Sequence, residues 1–90
     1  MNTAKVRPIT FDEPMDIAVG MTGFAIWSTD GALVEVRMGS STGRELFSPL
    51  EIAAGATDRQ SFGVPLTFDG TAAVFFGLLS GDAEGSVWSV

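Results

Sequence analysis

Apolar and polar residues alternate with a period of two along most of this chain, and that alternation restricts the fold more than any other feature. In "ALVEVRM", Val34, Val36 and Met38 point one way while Glu35 and Arg37 point the other. A strand with one face buried has this pattern, whereas a helix would repeat its apolar residues every three to four positions. In "SFGVPLTFD", Phe62, Val64, Leu66 and Phe68 alternate with smaller residues, and Pro65, which has no N–H for a ladder, marks a sheet edge or a bulge. Leu50 and Ile52 flank an outward Glu51. Strands are expected over roughly residues 4–10, 17–28, 32–38, 45–53, 57–64, 72–79 and 84–90.

Turn chemistry separates these segments. Asp30-Gly31 stands between two apolar runs and suits a type I′ hairpin turn. "MGSSTGRE" is a Ser/Gly-rich loop, Gly55 and Gly70 turn the chain, and "SGDAEG" joins the last two segments. Turn signals at this spacing predict an all-β fold, a single small antiparallel sandwich of jelly-roll-like or Ig-like type with about seven to eight strands. One domain fills residues 1–90, with residues 1–16 expected to form an irregular N-terminal arm. Pro14 limits any helix between Asp12 and Ile17 to a turn.

The charge pattern narrows the function classes. A net charge of −6, with five scattered basic residues, gives no patch for phosphates and disfavours anionic membrane surfaces, so no nucleic acid and no membrane partner is expected. The apolar run from Ala72 to Leu79 is too short for a spanning helix, and "MNTAKVRPIT" lacks the apolar segment of a signal peptide. A soluble protein made in a cytoplasm is the expectation. The chain has no His and no Cys, which removes the usual general base, the thiol nucleophile and His or Cys zinc sites.

The remaining candidates for chemistry are weak. Asp12, Glu13 and Asp16, and separately Asp82 and Glu84, lack the spacing of a calcium loop and are expected to be solvated loop charges. Lys5 has no sign of the burial a Schiff-base lysine needs. No enzyme activity, no catalytic residue, no metal and no cofactor is expected. Trp27 and Trp88 are the residues that a carbohydrate- or ligand-binding module would use for stacking, and Phe24, Phe62, Phe68 and Phe76 are expected to fill the core.

The ending "AVFFGLLSGDAEGSVWSV" is expected to form the last hairpin of the sandwich. Val74, Phe76 and Leu78 occupy one face, while Ala73, Phe75, Gly77 and Leu79 occupy the other, and both faces are apolar. A two-layer sandwich buries only one face of each sheet, so the second must lie under a covering segment or against another subunit. Phe75 and Leu79 are therefore the leading interface candidates, with Trp88, Arg44 and Phe47 beside them. A homo-oligomer follows, most simply a closed trimer.

The second half of the chain, "GRELFSPLEIAAGATDRQSFGVPLTFDGTAAVFFGLLSGDAEGSVWSV", resembles small all-β proteins encoded among phage structural genes. In these a "DGSSATG"-like loop precedes a "PLxLAAGxS" strand and turn, followed by a terminal "SGxxEGSVxV" segment. The matching stretches here are Gly39 to Gly43, Pro49 to Gly55 and Ser80 to Val90. Gly77 and Leu79 depart from the polar outward residues of that pattern. The resemblance implies a virion structural protein made in the host cytoplasm. Such a protein would be a capsid decoration (cement) protein or a head-fibre-like or tail component, and its partners would be its own copies and a major capsid or other virion protein.

Overall fold

The structure, a computed structural model, describes residues 5–16, 20–66 and 73–89. Among them are eight strands and no helix: β1 Lys5–Pro8, β2 Pro14–Asp16, β3 Met21–Trp27, β4 Ala32–Met38, β5 Glu45–Ile52, β6 Thr57–Leu66, β7 Ala73–Gly81 and β8 Glu84–Ser89. The all-β antiparallel sandwich expected from the alternation is the fold found.

The strands form two four-stranded sheets, sheet A in the order β1-β8-β3-β6 and sheet B in the order β2-β7-β4-β5. Its plan is a long hairpin folded at residues 39–44, with β4 on β5, β3 on β6, β2 on β7 and β1 on β8. Rolling that hairpin sets β8 beside β3 and β7 beside β4. This is the strand order of an eight-stranded jelly roll, which selects between the two sandwich types that the alternation allows.

Three local expectations are corrected. The segment with Asp30-Gly31 is not a hairpin, because β3 lies in sheet A and β4 in sheet B, and Gly31 alone takes a positive φ of 94° there. The chain end is not a hairpin either, since β7 and β8 also lie in different sheets. The described part of the expected N-terminal arm, residues 5–16, holds two short strands. Here β1 pairs with β8 and β2 with β7, and the Arg7 guanidinium donates to the carbonyl of Asp16. Asp12 holds the bend between these two strands, at a φ of 64°. Its N–H donates to the Phe76 carbonyl at 2.8 Å, and its carboxylate accepts the Leu78 N–H at 3.1 Å. It is a structural pin rather than a free loop charge.

The core lies between the sheets as the alternation predicts. Phe24, Ile26, Val34, Val36, Val74 and Phe76 are fully buried, with Ile9 and Met15 brought in by the N-terminal segment. Phe24 of sheet A meets Phe76 of sheet B edge to face at 5.3 Å between ring centroids and Phe47 at 5.8 Å, an arrangement that adds to the area each ring buries. Phe47 is thus half-buried, with its ring packed against the core. Pro65 lies on β6, at the edge of sheet A, as its missing N–H requires. The expectations for Phe68, and for the side chain of Phe62, lie outside the described residues.

At one end of the sandwich a single buried serine ties three loops together. Ser28 donates its N–H to the Ala56 carbonyl at 3.3 Å and accepts the Gly55 N–H at 2.7 Å. Its hydroxyl donates to the Asp82 carbonyl at 2.6 Å. The crossing loops need such a knot because no ladder satisfies their backbone groups.

Candidate docking surface

Each sheet has an outer face, and the two faces differ in chemistry. On sheet B, Arg37 stands between two carboxylates, 2.9 Å from Glu35 and 4.0 Å from Glu45, and it also donates to the Gly43 carbonyl. Glu51 follows on β5, opposite Leu33. Phe75 lies on this face as expected but is only 6% exposed. Its cross-strand neighbours are Pro14 and Arg37. Gly77 leaves the space the ring needs, because a Cβ there would come within 3.0 Å of the Phe75 ring and 2.8 Å of the Glu35 chain. Of the two places the sequence left open for this face, under cover or against another subunit, the low exposure of Phe75 agrees with the first.

Leu79 is 50% exposed on the same side. Leu33 pairs with Ser80 and Val34 with Leu78, so Leu79 is the extra residue of a bulge. Arg44 is exposed in the loop between β4 and β5, where its carbonyl accepts the Met38 N–H. The five residues expected to share an interface are thus spread over two outer faces, one loop and the core.

Sheet A carries the apolar outer face. Register places Val6, Trp88, Gly23 and Ser61 in one row across its four strands. Pro8, Ser86, Ala25 and Arg59 form the next, and Glu84, Trp27 and Thr57 the third. Val6 is 58% exposed and Trp27 39%, while Trp88 is half-buried with the Arg59 guanidinium 5.1 Å above its ring. Such stacking is worth about 0.5–1 kcal/mol at an exposed site and holds a long cation flat on the sheet. Among the described side chains this face carries only Arg59 and Glu84 as charges. The sequence marked Trp27 and Trp88 separately, and it had no signal for Val6, whose place depends on pairing with β8.

The loop end offers a different feature, a cleft of about 580 Å³ beside the Ser28 knot, bordered by Trp27, Asp30, Asp82 and Glu84. Among the described residues no group of three or more His, Cys, Asp or Glu side chains is placed to hold a metal ion. No family model matches the chain, and no curated protein and no solved structure matches it.

Proposed function

We propose that this chain is a non-enzymatic virion structural protein, a capsid decoration protein of a tailed phage, that docks in repeated copies through the outer face of sheet A. The observation that carries the reading is that face, which Val6, Trp27 and Trp88 share and on which Glu84 is the one carboxylate among the described side chains. Apolar surface grouped in this way marks an interaction site more often than scattered exposed residues do. The resemblance of the second half to small phage structural proteins supports the same reading. Jelly rolls recur in viral capsid and lectin domains, an analogy of architecture that does not by itself assign function.

The test is the copy number of the chain in purified particles made from the genome that encodes it, by quantitative mass spectrometry. Hundreds of copies per particle are expected of a lattice component. A handful would move the chain to a tail or portal position, and none would end the virion reading. A second reading, a carbohydrate-binding module, is favoured by one observation, the place of Trp27 at the mouth of a cleft with acceptor carboxylates. Saturable quenching of Trp fluorescence by sugars would support it.

A further inference from the structure

We infer that the partner of the sheet A outer face is a second copy of this chain, packed face to face about a two-fold axis that crosses the strands at the Ser86–Ala25 pair. The inference rests on the docking reading above and names the occupant of that face. It follows from the register. On β8, Trp88 and Glu84 stand at equal distances on either side of Ser86, and on β3, Gly23 and Trp27 stand likewise about Ala25. A two-fold axis along that middle row sets β8 on β8 and β3 on β3 and exchanges the outer rows.

Two complementary contacts result, each made twice. Glu84 of one copy comes down on the Trp88–Arg59 stack of the other, where the guanidinium already lies over the ring. Trp27 of one copy comes down over the Gly23 position of the other, where Gly23 itself is buried and the Trp88 ring edge stands 3.5 Å from where its Cβ would be, so the partner's indole meets the Trp88 ring there. The two A sheets would lie about 10 Å apart with strands within about 30° of alignment, as in ordinary sheet packing. A surface that is its own complement makes an isologous contact, and such a contact closes at two copies.

Charge permits this approach although each copy carries a net charge of −6. The face itself holds one cation and one anion among its described side chains. Glu35, Glu45 and Glu51 lie on the far side of the sandwich, where salt screens them over about 10 Å at 0.1 M. The area limits the strength. Four strands and three rows cover about 400 Å² before side-chain relief is counted, below the roughly 800 Å² per partner of a standard interface. The free chain is therefore expected to pair between about 10 µM and 1 mM, and fixing copies on a lattice would raise their effective concentration into that range.

Sedimentation equilibrium of the full chain across that range, with melting curves as a control for folding, tests the inference. The wild type should pass from monomer to dimer. Glu84→Arg, which sets a second cation against Arg59, and Trp27→Ala should each weaken pairing at least tenfold with little change in melting. The double exchange of Glu84→Arg with Arg59→Glu should restore most of the pairing lost by Glu84→Arg alone. A wild type that stays monomeric to 1 mM, a trimer, single variants that pair like the wild type, or a double exchange that restores nothing would each overturn the inference. Particle copy number separates the two readings. A monomer abundant on particles removes self-pairing and leaves docking, whereas a dimer absent from particles removes the virion reading and leaves the pairing.

Discussion

Phe75 and Phe76 are adjacent on β7 and both buried, yet they should respond differently to truncation. Phe76 is fully buried between the sheets and touches Phe24 edge to face at 5.3 Å. Phe76→Ala removes that packing and leaves a cavity closed on both sides, a change that costs about 3–5 kcal/mol. A domain of this size has a total stability of roughly 5–13 kcal/mol, so the variant should be marginal or unfolded. Phe75 is 6% exposed on the outer face, covered by neighbours of its own sheet. Phe75→Ala forfeits the burial of one aromatic side chain, about 1.5–3 kcal/mol, but opens the site to water and leaves no closed cavity. At about 2 kcal/mol the melting temperature should fall by roughly 8–16 °C in a domain of this length. Urea unfolding at low micromolar concentration, where the chain is monomeric, measures both. A cost below about 0.5 kcal/mol for Phe75→Ala would show that its ring is open to water. A cost equal to that of Phe76→Ala would show that the two faces of β7 are equally enclosed, and either result refutes the reasoning.

Ser28→Ala should cost about 0.5–1.5 kcal/mol in urea melts, the ordinary worth of one hydrogen bond, since the buried Ser28 hydroxyl loses its bond to the carbonyl of the exposed Asp82. Gly77→Val should destabilise more than Gly77→Ala, because any Cβ there meets the Glu35 chain and the Phe75 ring and a branched one cannot turn away; melting of the pair measures the order. Arg59→Ala should shift the Trp fluorescence to the red and cost no more than about 1 kcal/mol, as the ring under it becomes wet. A chelator of divalent ions should leave the melting temperature unchanged, and a fall of several degrees would show an ion bound by the acidic loops.

Which residues face the core was legible in the sequence, and which strands lie side by side was not. Val34 and Val36 are buried and Glu35 and Arg37 face out because side-chain direction follows from a period of two within one strand. Pairing is a property of distant segments. Asp30-Gly31 has the local chemistry of a hairpin, but the neighbours of β3 are β6 and β8, and no residue near the turn records that. The same limit misplaced the interface. Two apolar faces on β7 implied that Phe75 needs cover, yet its cross-strand neighbour Pro14 comes from a strand about sixty residues earlier in the chain. The outer face of sheet A stayed hidden because Val6, Trp27 and Trp88 lie far apart in the chain and are set on one face only through register.

The most direct test of the account is hydroxyl-radical footprinting of the chain, free and docked, read at Val6, Trp27 and Leu79. These are the large exposed apolar residues of the described structure, the first two on sheet A and the third on sheet B. Docking through the outer face of sheet A predicts that Val6 and Trp27 become protected while Leu79 labels as in the free chain. Protection of Leu79, with Val6 and Trp27 unchanged, would contradict it.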